Sequence, residues 1–150
     1  MEKRGILPPT YFLICLLLSI VIHFVLPLKK FINFPYNNYL GVLLMGTGIW
    51  LNIWADLLFK VRRTTVKPFE KSTHLIENGP YRLSRNPMYL GLVVILLGVA
   101  TLLGSIAPFI VAIIFAIIAD RVFISIEEKY LEEIFGQKFL DYKKRIRRWL

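Results

Sequence analysis

The chain has 150 residues, 56% of them hydrophobic, with 19 Lys and Arg against 10 Asp and Glu and a formal net charge of +9. That is the length of one domain, but too apolar for a soluble one, and the apolar residues gather into long uncharged runs. The lone cysteine, Cys15, excludes a disulfide framework and a Cys-rich metal site.

The first run, at about 10–27, carries no Lys, Arg, Asp or Glu. It follows a basic N-terminus and Pro8-Pro9 and lacks a small-residue cleavage site, so it reads as a retained span rather than a signal peptide. His23 within it reads as structural. The second span, at about 39–59, has its only charge at Asp56, four residues after Asn52 and on the same helical face. From Asn86 to Ala119 there are 34 residues without a charge. One helix of that length rises about 50 Å, against a hydrocarbon core of about 30 Å. The breakers in GSIAP, at 104–108, therefore predict a tight hairpin of two spans, at about 87–104 and 106–125. The fourth span carries Asp120 and Arg121 into its polar end, and ionisable groups at that depth are by default paired or functional.

Positive charge sets the orientation. The N-terminus, the 60–86 loop and everything from Arg121 onward carry 17 basic residues, against Lys29 and Lys30 on the other side. Both termini are expected in the cytoplasm. The net charge then reads as topology plus attraction to an anionic membrane surface, with no nucleic-acid partner and no metal expected.

Two polar regions share that side, 60–86 and a tail, 126–150. Pro68 and Gly79-Pro80 break the first into a structured loop with a short helix at most. Asn86-Pro87 reads as the start of the third span, with Asn86 as N-cap and Pro87 in the first turn. The positive end of that helix, beside Arg82 and Arg85, suits a carboxylate or phosphate. Tyr89 lies four residues after Arg85. In the tail, Leu131, Ile134 and Phe135 share a helical face among Glu127, Glu128, Glu132 and Glu133, and Gly136 ends or bends that helix. Arg121 and Glu128, seven residues apart, are expected to pair on one face. Lys143, Lys144, Arg145, Arg147 and Arg148, among Phe139, Tyr142, Ile146 and Trp149, suggest an amphipathic helix on an anionic surface. Tyr142, Arg148 and Trp149 read as membrane-surface contacts.

The string THLIENGPYRLSRNPMYLG at 73–91, followed 36 residues later by EEKYLEEIFGQKFLDYKKRIRRW, resembles the integral membrane methyltransferases of the isoprenylcysteine carboxyl methyltransferase and phospholipid methyltransferase family. That family shows a His, a Gly-x-Tyr, an Arg-His-Pro-x-Tyr-x-Gly and, after a helical hairpin, a Glu-Glu pair. The match covers about half the chain. It implies an all-α integral membrane protein of about four spans, the third and fourth a tight hairpin. A cytosolic cofactor-binding loop and a C-terminal amphipathic helix complete a single domain over 1–150.

The resemblance implies S-adenosylmethionine as methyl donor, bound by His74, Leu75, Gly79, Tyr81, Arg85, Asn86, Pro87, Tyr89, Gly91, Glu127 and Glu128. Taken alone, His74 also fits an ordinary interfacial histidine. The acceptor it implies is lipophilic or membrane-associated, with a carboxylate, amine or thiol as nucleophile. Arg85, Glu127 and Glu128 are the catalytic candidates: Arg85, His74 or the Pro87 helix end for the donor carboxylate, either glutamate for its ammonium or ribose hydroxyls, and Glu128 as base toward an amine. Two departures stand out. Asn86 occupies the histidine position and cannot titrate, and Phe139 stands where an aromatic hydroxyl is usual. Two other functions compete: a nicotinamide-dependent membrane reductase of the sterol-reductase type, and a non-enzymatic tetraspan protein that binds anionic lipid.

Overall fold

The computed structural model describes residues 8–26, 35–61 and 74–150. The expectations resting on Lys3, Arg4, Lys29, Lys30 and residues 62–73 lie outside them. All regular structure among the described residues is helical. Four apolar helices come first: α1 at Pro8–Val25, α2 at Tyr36–Val61, α3 at Pro87–Leu103 and α4 at Ile106–Ile118. A π-helical turn, Ala119–Ile124, joins α4 without interruption to α5 at Ser125–Phe135, and α6 covers Gln137–Arg145. The helix Ile106–Phe135 has 30 residues. It rises about 45 Å, so α5 extends beyond a core of about 30 Å.

α3 is the centre of the bundle, packed on α2, α4 and α1. Its join to α4 is as tight as the sequence predicts. Gly104 takes a left-handed φ of 70°, which ends α3, and Ser105 opens α4. Asn37 Nδ2 donates to the Leu102 carbonyl at 3.1 Å, and His23 Nδ1 lies 2.7 Å from Ser105 Oγ. The end of α1, the start of α2 and the α3–α4 turn therefore share one end of the bundle. Midway, Cys15, Leu96, Val111, Ala112 and Phe115 form a buried apolar cluster of α1, α3 and α4.

α2 and α3 cross on glycines repeated at seven-residue spacing, Gly41 and Gly48 facing Gly98 and Gly91. A Cβ at Gly48 would stand 2.6 Å from the Gly91 carbonyl oxygen and 2.9 Å from the Ile95 nitrogen. Both are backbone atoms and cannot rotate aside. We expect Gly48→Ala to force the helices apart and cost about 1–3 kcal/mol, read as a lower unfolding midpoint in detergent. An unchanged midpoint would mean the crossing is looser than this. Gly91, expected at a cofactor pocket, lies in this crossing against Gly48 and Asn52. Asn52 itself donates back to the Gly48 carbonyl, and Asp56 pairs with Lys60 on its own helix.

Candidate active site

The opposite end of the bundle gathers the start of α3, the π turn, α5 and the chain after α6. A short 3-10 helix, Gly79–Arg82, delivers the chain to α3, and Gly79 enters it at a φ of 61°. A Cβ there would stand 2.8 Å from Leu58 on α2, so small size and left-handed backbone are both used. Tyr81 is buried against Ala55 and Ile76, with Phe59 at its ring. Its carbonyl accepts the Tyr142 hydroxyl at 2.7 Å. Burial first, then Tyr142 and the charges of Glu127 and Asp56, push the Tyr81 phenol far above its ordinary value.

Asn86 stands at the N-cap position, but its side chain does not cap the helix. Its backbone N–H donates to Ser84 Oγ at 3.0 Å, and its Nδ2 donates to the Arg148 carbonyl at 3.2 Å. Ser84 Oγ donates to that same carbonyl at 3.0 Å. The cause is the tail. After Arg145 the backbone turns extended, with φ −119° and ψ 133° at Ile146, and crosses the start of α3 as a strap. Its carbonyls meet the donors that a helix end and an arginine supply. The Arg85 N–H reaches the Arg147 carbonyl at 3.0 Å. Arg85 Nη1 donates to the carbonyls of Lys143 at 2.9 Å and Ile146 at 2.7 Å.

The remaining guanidinium edge of Arg85 faces Glu128. Nε and Nη2 donate to Oε1 at 3.1 and 2.8 Å, and the two side chains are only 9% and 5% exposed. Arg148 completes the cluster, donating from Nη2 to Glu128 Oε2 at 2.7 Å and from Nη1 to both Asp120 oxygens at 3.2 Å. Trp149 Nε1 donates to Asp120 Oδ1 at 3.0 Å. Burial acts to raise the Glu128 carboxyl, but the hydrogen bonds from Arg148 and Arg85 outweigh it and hold it below the usual range.

Glu127 differs. Its carboxylate accepts the Tyr89 hydroxyl at 2.7 Å, and no arginine or lysine among the described residues pairs with it. Burial pushes its carboxyl up, and the Tyr89 hydrogen bond offsets that only in part. Tyr89 is buried and stacks on Phe123 of the π turn, with ring centroids 6.2 Å apart. Two adjacent carboxyls are thus driven in opposite directions, the pattern of sites where one group is fixed and its neighbour can take up a proton or a cation.

The expected Arg121–Glu128 pair does not form. The π turn adds a residue's worth of rotation between α4 and α5, so seven residues no longer return to one face. Arg121 is 82% exposed and lies 3.8 Å from Asp120, while Glu128 turns inward to Arg85 and Arg148. Arg148 and Trp149 are built into the cluster instead of resting on the membrane surface, and Tyr142 is buried. Charge counting did not reveal this, because a basic tail has one composition whether it binds lipid or folds back. His74 and Leu75 stand before the short 3-10 helix. With Glu77, Asn78, Phe135 and Lys138 they line a cavity of about 440 Å³, inside the range of small-ligand sites. Phe139, on α6, is buried and packs against Tyr142 of the same helix.

Fold and site together define an all-α membrane protein with a buried polar cluster where α3 and α5 leave the apolar bundle. Residues 36–138 match the family model described as phospholipid methyltransferase, which is 103 of the chain's 150 residues. The chain belongs to the phospholipid methyltransferase and isoprenylcysteine carboxyl methyltransferase family. Over 92 residues it is 34% identical to protein-S-isoprenylcysteine O-methyltransferase B of Arabidopsis thaliana, covering 59% of this chain and 42% of that protein. Over 122 residues it is 27% identical to protein-S-isoprenylcysteine O-methyltransferase of Schizosaccharomyces pombe, covering 77% of this chain and 50% of that one. An uncharacterised protein of Haemophilus influenzae is 41% identical over 63 residues, 42% of this chain and all of its own length. The chain spans half or less of the two named methyltransferases. No solved structure gives a significant match.

Proposed function

We propose that this chain, as a single domain over 1–150, transfers a methyl group from S-adenosylmethionine to a lipophilic or membrane-associated acceptor at the cytosolic face. The observation that carries this reading is the split pair, with Glu128 saturated by two arginines while Glu127, one residue away, meets the Tyr89 hydroxyl and no arginine or lysine among the described residues. The donor, when bound, would supply a methyl group on a cationic sulfonium. The residues suit such a molecule. Glu127 keeps lone pairs for a cationic group, and the cavity beside His74 and Leu75 has the size and mixed lining that an adenosine needs. Tyr89 orients the Glu127 carboxylate. Arg85 and Arg148 hold Glu128 ionised and fixed, and through it the turn of α5 that carries Glu127.

These roles change two of the expectations. Arg85 is a positioning residue, because its guanidinium is already occupied by Glu128 and by the carbonyls of Lys143 and Ile146. For an amine acceptor the proton goes to Glu127. A carboxyl held low by two cations is a weak base, and Glu128 has no oxygen without an arginine. Gly79 shapes the backbone beside the site, Gly91 serves the α2–α3 crossing, and Pro87 fixes the start of α3.

Calorimetric titration of the purified protein tests the donor assignment. S-adenosylmethionine and its demethylated product should both bind, and reduced nicotinamide nucleotide should not. Binding of the nicotinamide alone would move the chain to the reductase reading, and binding of none of the three would leave a lipid-binding protein.

A further inference from the structure

The tail reaches the site through two adjacent residues, and one carboxylate takes both. Arg148 Nη1 donates to the two Asp120 oxygens at 3.2 Å, and Trp149 Nε1 donates to Oδ1 at 3.0 Å. Arg121, 3.8 Å away, is a third and weaker partner, because its side chain is exposed. Beyond Asp120 the two tail residues part. Arg148 goes on to Glu128, donating from Nη2 to Oε2 at 2.7 Å and from Nε to Oε1 at 3.4 Å. Trp149 packs on the buried cluster of Tyr89, Ala119 and Ile124, and the Tyr89 hydroxyl holds Glu127. One branch therefore ends on each member of the glutamate pair. The π turn makes this arrangement possible. Asp120 and Glu128 are eight residues apart, and around a regular α-helix they would stand about 80° from a common face. The extra residue absorbed by the π turn brings them to within about 20° of one. Both carboxylates then meet the tail, where a single guanidinium bridges them. Ser125 holds the turn in that form, its Oγ donating at 2.8 Å to the Asp120 carbonyl.

We propose that Asp120 is a positioning residue of the site: it seats Arg148 against Glu128 and Trp149 against Tyr89, and so sets the glutamate pair through both branches at once. The consequence for donor binding rests on the methyltransferase reading; the seating of the tail does not. Arg85, Glu128, Arg148 and Asp120 alternate in charge, and the network closes on Asp120. Without it, Arg148 keeps Glu128 but loses the second carboxylate that fixes the direction of its guanidinium. The indole N–H loses the partner that turns it inward, and Tyr89 loses its cover on the side of the tail.

Trp149 reports the seating. Protein carrying Trp50→Phe and Trp54→Phe keeps Trp149 alone of the three tryptophans, and acrylamide quenching in detergent reads the exposure of its indole. In that parent, Asp120→Ala should raise the quenching about threefold and weaken S-adenosylmethionine binding about tenfold. Asp120→Asn keeps the shape and an oxygen for the indole but drops the charge that Arg148 meets. Its quenching should match the parent, and its donor affinity should fall about threefold. Gly48→Ala, at the α2–α3 crossing, is the control for lost stability alone. It should lower the unfolding midpoint and move neither reading. Parental quenching in Asp120→Ala, or an equal rise in Gly48→Ala, would overturn the proposal. Raised quenching with donor affinity intact would overturn it too, because the tail would then be seated without effect on the pair. If the alanine variant does not fold, Asp120→Asn decides, and parental donor affinity there is the contradicting result. A parent that binds no donor sinks the methyltransferase reading, and the quenching of the same variants still decides whether Asp120 seats the tail.

Discussion

Arg85→Ala should lower stability more than any other single change at this polar end of the bundle, by about 3–5 kcal/mol. The guanidinium is buried, and its loss leaves Glu128 with half its counter-charge in a pocket where its side chain is 5% exposed. It also strips the carbonyls of Lys143 and Ile146 of a shared donor, which frees the strap from the start of α3. Lysine at this position restores a charge but not the planar fork that serves a carboxylate on one edge and two carbonyls on another, so Arg85→Lys should recover only part of the loss. Thermal unfolding in detergent reads both variants. If Arg85 were only a topological anchor, or a ligand waiting for the donor, both would melt with wild type. Activity would then fall with no structural cost.

Glu127→Gln should do the reverse. The raised carboxyl of Glu127 means that burial disfavours its ionised form. Its contribution to stability is therefore complete below the unfolded value of about 4.3 and is lost as pH rises through the higher folded value. Glutamine removes that penalty and can still accept the Tyr89 hydroxyl. The variant should melt at or above wild type at neutral pH, and its midpoint should lose the pH dependence that the carboxyl imposes. Donor affinity should move the other way. Only the ionised carboxylate attracts a cation, so wild-type affinity should rise over the window in which stability falls. In Glu127→Gln it should be weaker by about 10- to 100-fold and flat with pH. A variant that is both less stable and fully active would reverse the roles assigned to the two glutamates.

Much of this architecture is legible in the sequence. Uncharged runs place the four apolar helices, although each real helix departs from its apolar run by a few residues. α2 extends to Tyr36–Val61, because helical hydrogen bonding continues through polar residues at both ends, Asn37 and Asn38 at the start and Lys60 at the close. The hairpin turn at Gly104 and the bend at Gly136 are carried by residues that tolerate positive φ, and the sequence marks both. The site resists reading for three physical reasons. Helical-wheel arithmetic assumes 3.6 residues per turn, and the π turn at Ala119–Ile124 breaks it between Arg121 and Glu128. N-cap preference predicts what Asn86 does at an isolated helix end, but here a strap of carbonyls competes for its amide and wins. Finally, the tail pairs residues 28 and 20 apart, Arg148 with Asp120 and Glu128, and no local pattern encodes such contacts.

The groups that do the work are held by tertiary contacts, so the decisive measurement is chemical. Purified protein reconstituted in anionic liposomes is incubated with S-adenosylmethionine labelled on its methyl group, and label is followed into the lipid-extractable fraction. The expected result is incorporation by wild type, little or none by Glu127→Gln, and none by Arg85→Ala once its fold is lost. Label transferred equally by Glu127→Gln and wild type, or donor that binds nowhere and labels nothing, would contradict it.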